Sequence, residues 1–250
     1  VPGSSSTREP WRPLRPPAAP AAAEVLRRWL EDPEQPLYAL DQDLRGADLS
    51  GGPFVESWFT GSDLSDATLR GVELWGAHCE QVRFDRANLV DADLVKADLR
   101  GASFARALLI GANMIKATAH DARFTEADLR RADLGNAKFL RADFTRADLS
   151  GASATTTSFR DAVLVDAVVS GMTGTVLGPA EVVPGLKLDG PELERWFGVG
   201  GAAVSVLRTL AVCAPTGPGG GGAAPTTGSV GTGRTAGRTR PAGSRPIRSR

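Results

Sequence analysis

From Leu44 to Val169 one position in every five is an inward-sized residue, and the phase never slips. Leu44, Leu49, Phe54, Phe59 and Leu64 open the series; Phe144, Leu149, Ala154, Phe159, Leu164 and Val169 close it. Two places before these centres the residue is nearly always small, and it is Ala at every fifth position from Ala97 to Ala152. Asp or Asn often stands between, as in Ala47-Asp48-Leu49, Ala97-Asp98-Leu99 and Ala147-Asp148-Leu149. A period of five fits neither the 3.6 of a helix face nor the 2 of a strand, so the chain must turn once in each unit. Four short sides then close a square coil of about 20 residues, and stacked coils pair their backbones at roughly 4.8 Å. The large and small positions face inward together and fill a narrow tube.

These motifs resemble the pentapeptide-repeat family, whose pattern is A-[DN]-L-x-x. The resemblance covers about residues 42–171 and implies an all-β fold, a right-handed quadrilateral parallel β-helix, with short flanking helices and a disordered C-terminal tail. The first coil departs from the pattern at Gly52, Pro53 and Trp58, and the late coils weaken at Ala154 and Thr157. Residues twenty apart should stack, which aligns Leu44, Leu64, Phe84, Phe104, Phe124, Phe144 and Leu164 in one column and Leu69, Leu89, Leu109 and Leu129 in another.

Outside the repeat, residues 1–20 are rich in Pro, Ser and Arg and read as a disordered lead. Residues 21–41 read as a capping helix and entry, with Val25, Leu26, Trp29 and Leu30 at helical spacing after Pro20. Residues 172–213 read as a linker and a C-terminal cap or dimerisation segment. There Asp189-Gly190-Pro191-Glu192 resembles a helix start with Leu193, Trp196 and Phe197 on one side, and Ala202–Val212 fits either a helix or a strand. Residues 214–250 hold no acid and six arginines, Arg234, Arg238, Arg240, Arg245, Arg248 and Arg250, and read as a disordered Gly/Pro/Arg tail. The family resemblance implies that a C-terminal helix can mediate a homodimer.

Composition narrows the function. The 250 residues carry 29 Lys+Arg against 29 Asp+Glu, which removes a global electrostatic case for nucleic acid or membrane surfaces. No apolar run reaches the roughly 18 residues of a membrane span, and no signal-peptide core is visible, so the expected setting is cytoplasmic and bacterial. The chain begins at Val1, which leaves an upstream start or a processed end open. Two cysteines, Cys79 and Cys213, form no disulfide framework and no metal spacing. His78 and His120 belong two coils apart, about 10 Å, too far for a shared metal or proton relay. Cys79 occupies an inward position and should be inert. No phosphate loop, zinc spacing or nucleophile elbow is present, so no cofactor and no enzyme activity are expected.

Family members that mimic B-form DNA and protect DNA gyrase imply an acidic surface. Between Asp41 and Gly171 the chain has about 20 acidic and about 15 basic residues, and the acidic patches at Asp43 and Asp63 and at Asp128, Asp143 and Asp148 are broken by arginines. The stronger surface feature is apolar. Val55, Trp75, Val95 and Ile115 stand twenty apart on one outward column, with Val90, Leu108 and Ile110 on the adjoining face. Contiguous exposed apolar surface marks an interface. Either residues 176–212 fold back over this ladder, the favoured reading, or a partner protein or second copy covers it. The sequence thus points to a non-catalytic scaffold for protein interaction, with a DNA-mimicking modulator of gyrase and an accessory domain of an enzyme as alternatives.

Overall fold

The computed structural model describes residues 11–207. Every fifth residue from Asp41 to Gly171 has a left-handed backbone, with φ between 53° and 74°. Each of these residues turns the chain, and the short extended stretch between two turns pairs in parallel with the stretch twenty residues ahead: Asp43 with Asp63, Asp63 with Arg83, Asp98 with Thr118, Asp128 with Asp148. The Leu44 N–H donates forward to the Asp63 carbonyl at 2.8 Å, while the Asp63 N–H donates back to Gln42 at 2.9 Å. Twenty residues and four turns therefore make one coil of a β-helix solenoid, and the ladder satisfies backbone groups that a buried chain would otherwise leave unpaired.

The inward positions build one continuous core. Leu44, Phe84, Leu89, Phe104, Leu109, Phe124, Leu129 and Phe144 are fully buried, together with the alanines two places before the centres from Ala87 to Ala152. The rings of Phe84, Phe104, Phe124 and Phe144 stack face to face, with successive centroids 4.9, 4.9 and 4.7 Å apart. Burying a Phe or Leu contributes about 1.5–3 kcal/mol, and here large side chains alternate with alanine so that facing walls interdigitate. Polar residues on inward positions find backbone partners. Ser57 Oγ accepts from the Leu37 N–H at 2.9 Å, Ser62 Oγ from the Gln42 N–H at 2.8 Å, and Thr157 Oγ1 donates to the Leu134 carbonyl at 2.7 Å.

At the start, helix α1 (Pro20–Trp29) begins on a proline and ends with Arg27 and Arg28 in its last turn, both favourable to helix polarity. Its buried side, Ala22, Leu26 and Trp29, lies against the first coil, where Trp29 and Phe54 sit 5.3 Å apart. The disordered lead expected for residues 1–20 does not hold for 11–19. Trp11 packs edge-on against Phe54 at 5.1 Å and donates its indole N–H to the Ser50 carbonyl, and Arg15 pairs antiparallel with Asp48. An aromatic anchor at Trp11 overrides the low-complexity character of its neighbours.

At the other end the repeat lengthens into regular strands. β1 (Ser153–Ser158), β2 (Ala162–Val163) and β3 (Thr173–Leu177) precede a hairpin of β4 (Ala180–Val183) and β5 (Leu186–Leu188). Helix α2 (Gly190–Val199) and β6 (Ala203–Leu207) follow. β3 pairs in parallel with β1, and β6 in parallel with β3, so that one wall gains two further rungs. α2 covers the last coil through buried Leu193 and Phe197. Gly200 lies so close to Val169 that any Cβ there would meet Val169 Cγ2 at 2.6 Å. Within Ala202–Val212 the stretch Ala203–Leu207 is a strand; residues 208–212 and the tail 214–250 lie outside the described residues. No helix among the described residues is long and apolar enough to cross a membrane.

Candidate interaction surface

In each five-residue unit the places just before and just after the centre face outward, and the third outward place is the turn. Where Asp or Asn precedes the centre, its side-chain oxygen accepts the backbone N–H two residues on. Asp48 and Ser50, Asn88 and Val90, Asp98 and Arg100, and Asp128 and Arg130 all make this bond at 3.1–3.3 Å. This local capping explains the recurrent Asp without any catalytic role.

The wall centred on Phe54, Leu74, Leu94, Met114 and Leu134 carries the apolar ladder. Backbone bonds from Glu56 to Trp75, Gly76 to Val95, Lys96 to Ile115 and Lys116 to Gly135 hold its members one coil apart. Val55 is 41% exposed, whereas Trp75, Val95 and Ile115 are half-buried because each shields the next. Lys96 Nζ lies 4.5 Å above the Trp75 ring, a cation–π contact. The ladder ends at Ile115, whose Cγ1 lies over Gly135. Val90 and Ile110 are likewise half-buried and Leu108 is 40% exposed, but the turns at Asp91 and Gly111 place these three on a separate wall. The two apolar groups therefore lie on adjoining walls.

Nor do residues 176–207, the described part of the segment 176–212, fold back over the ladder as the sequence suggested. The backbone of β3 and β6 finds its partners by stacking on β1, and α2 follows them to the end of the solenoid. Among the described residues nothing from 176–207 lies on Trp75 or Val95.

Beside the ladder runs an acidic column that the sequence reading passed over. Glu73, Asp93, Asn113 and Asp133 occupy the outward place on the other side of the same centres, and successive coils pair Glu73 with Asp93, Asp93 with Asn113 and Asn113 with Asp133. Asp93 and Asp133 each use one oxygen to accept the N–H of Val95 or Gly135, at 3.1 and 3.0 Å. Among the described residues, no Lys, Arg or His comes within ion-pair distance of Glu73, Asp93 or Asp133.

On the other walls and corners many of the acids are paired with arginine. Arg86 bonds Asp66, Arg141 bonds Asp121, and Arg106 bonds Glu126, each across twenty residues, at 2.6–2.8 Å. Arg100 joins Asp98 to Glu80, and Arg130 holds Asp128 at 2.7 Å. Hydrogen bonds from these arginines hold Asp66, Asp121 and Glu126 below the usual carboxylate range. Burial pushes Asp128 up, but its bonds to Arg130 outweigh that and leave it lowered. Asp43, bonded by Arg45, is lowered to about 2. An acidic wall broken in this way does not reproduce the unbroken charge of a nucleic-acid backbone.

Cys79 is fully buried, and burial lifts its thiol well above the usual range. His78 stacks on Trp58 with centroids 3.7 Å apart, and Tyr38 extends the stack at 6.2 Å. Among the described residues no cluster of His, Cys, Asp and Glu is arranged to hold a metal. A further groove of about 470 Å³ lies at the C-terminal end between Leu186, Leu188, Trp196 and Val199, rimmed by Glu192 and Arg195.

A family model described as pentapeptide repeats matches in 8 copies, over residues 62–101, 87–131, 102–139, 122–161 and 142–172. Solved structures similar to the chain include HetL, a pentapeptide repeat protein involved in heterocyst differentiation regulation from the cyanobacterium Nostoc sp. strain PCC 7120. It is 22% identical, with 68% of this chain and 84% of that chain covered and a TM-score of 0.40. Full-length QnrB1, a plasmid-mediated fluoroquinolone resistance protein, is 14% identical over 67% of this chain and 91% of its own, with a TM-score of 0.42. A pentapeptide repeat protein of the Arabidopsis thaliana thylakoid lumen is 34% identical over 44% of this chain and 66% of its own, with a TM-score of 0.19. No curated protein matches the chain's sequence.

Proposed function

Because residues 62–172 belong to the pentapeptide-repeat family, we propose that this chain is a non-catalytic scaffold, a right-handed quadrilateral β-helix that presents a rigid side wall to another protein in a bacterial cytoplasm. The observation that carries the reading is the wall of Val55, Trp75, Val95 and Ile115, which nothing among the described residues covers and which runs beside an unneutralised acidic column. A rigid ladder suits recognition because its side chains are held in register before a partner arrives, so little ordering cost remains at binding. Val90, Leu108 and Ile110 on the adjoining wall extend the candidate surface around the turn.

Self-association through the C-terminal end is a second mode that one observation favours. Leu186 and Val199 are exposed in the groove beside α2, with Val199 at 86%, and Val183 is exposed on the neighbouring strand. Modulation of DNA gyrase by duplex mimicry, which the family resemblance implies, ranks behind both, because arginines pair with the acids of most walls.

The test is affinity capture with the full chain as bait, comparing wild type with Trp75→Asp. The scaffold reading expects a partner that is lost from the variant while the melting transition is retained. An identical set of captured proteins for both baits would count against this wall. A supercoiling assay with purified gyrase checks the lower-ranked reading.

A further inference from the structure

Two columns of opposite character share one wall. Val55, Trp75, Val95 and Ile115 run along the solenoid axis, and Glu73, Asp93 and Asp133 run parallel to them, two residues away along each rung. By strand geometry the columns lie about 7 Å apart and their members step by about 4.8 Å. The acids have no ion-pair partner among the described residues. Lys96, the nearest corner cation to Trp75, is engaged over the indole ring on the apolar side. An apolar ridge beside an uncompensated anionic ridge is complementary to one chemistry, a segment with an apolar stripe flanked by a cationic one.

The spacing selects the conformation of that segment. An α-helix laid along the axis returns a side chain to the same line every 5.4 Å or so, which keeps step with four rungs of about 4.8 Å to within about 2 Å. A strand in the same direction repeats every 6.6–6.8 Å or so, and it loses register after two rungs. From Val55 to Ile115 the ladder spans roughly 14 Å, about ten helical residues. A helix with its side chains is about 10–12 Å wide, enough to cover both columns. Resting on the scaffold reading, we infer that this wall is a docking site for a cationic amphipathic α-helix of a partner protein. The helix's apolar stripe lies on Val55, Trp75, Val95 and Ile115, and its Lys or Arg residues face Glu73, Asp93 and Asp133.

The probe is a synthetic helical peptide of about five turns, leucines on one stripe and lysines beside it, titrated by fluorescence anisotropy against the full chain. The key variant is Glu73→Gln/Asp93→Asn/Asp133→Asn. It removes the charge yet keeps an oxygen to accept the Val95 and Gly135 N–H groups, as Asn113 already does for Ile115. Binding that weakens at least tenfold in this variant, weakens with added salt, and weakens with Val95→Thr supports the inference. Equal affinity for the variant and wild type, or equal affinity for a probe whose lysines are replaced by glutamates, overturns it.

Two other occupants are read in the same experiment. If a peptide of residues 234–250 binds as tightly and with the same dependence on the three acids, the chain's own arginine-rich tail is the occupant and the external helix is excluded. If wild type sediments as a larger species and the triple variant does not, the occupant is a second copy, which likewise overturns the inference. Should the probe fail while Trp75→Asp still loses its captured partner, only the helix inference falls; should neither respond, the scaffold reading of this wall falls with it.

Discussion

Phe104 and Phe124 stack one coil apart with their ring planes 1° from parallel and their centroids 4.9 Å apart. Their separation reproduces the rung spacing of the backbone, so the core is built by the same repeat that pairs the main chain. Phe104→Ala should cost about 3–5 kcal/mol, because a narrow, densely packed solenoid core has little freedom to collapse around the hole. Phe104→Leu should cost less than about 1.5 kcal/mol. Chemical denaturation of the two variants checks the difference, and an unchanged midpoint for Phe104→Ala would contradict the inward placement.

The turns make a second prediction. Arg131 has φ of 60° and Gly51 has φ of 63°, the same left-handed geometry. A side chain there costs about 1–2 kcal/mol relative to glycine, and around Gly51 nothing else lies within 4 Å, so conformation alone decides. Gly51→Ala should therefore destabilise by about 1 kcal/mol and Arg131→Gly should stabilise by a similar amount. Opposite shifts in thermal midpoint are the expected pair of results.

Ser65 offers a third. Its hydroxyl is buried and has no hydrogen-bond partner, whereas its N–H keeps a 2.9 Å bond to Asp63. Ser65→Ala removes an unsatisfied group and should raise stability by about 1 kcal/mol, measurable as a higher denaturation midpoint.

Ion pairs within and across coils set the response to acid. Asp43, Asp66, Asp121, Asp128 and Glu126 all have folded-state values below the ordinary carboxylate range, while their arginines stay charged throughout. Lowered values mean that their contribution is complete above the unfolded values near pH 4 and is lost as pH falls through the folded ones, down to about 2 for Asp43. Because these groups are largely exposed, the loss should be shallow and reduced by salt. Denaturation midpoints flat from about pH 5 to 8 and falling below about pH 4 are expected; a maximum near pH 3 would contradict the pairing.

Much of this was legible in the sequence because the solenoid writes its inside directly into the chain. A centre such as Leu109 and a small partner such as Ala107 must recur every five residues, and a slip of one would turn the core outward. The turns were less legible, since Arg131, Lys116 and Glu126 adopt left-handed geometry without the glycine that would have announced it. Trp11 and Arg15 were missed because their contacts are single tertiary events with no periodic echo. At the C-terminal end β6 rejoins the wall after a detour through a hairpin and α2, and a break in period hid that return. The apolar half of the candidate surface was read from Val55, Trp75, Val95 and Ile115. Its acidic half was not, because an Asp before a centre looks the same in sequence whether or not a cation neighbours it, and only the absence of neighbouring cations distinguishes Asp93 and Asp133 from Asp98 or Asp128.

The central claim is that eighty residues of chain advance only four rungs. Spin labels placed at Arg86 and Asp166, on one column of turns, test it by pulsed electron resonance. Four rungs predict a narrow backbone separation of roughly 19 Å plus the label linkers. A separation of many tens of ångströms, or a broad distribution, would show that the coil does not close every twenty residues.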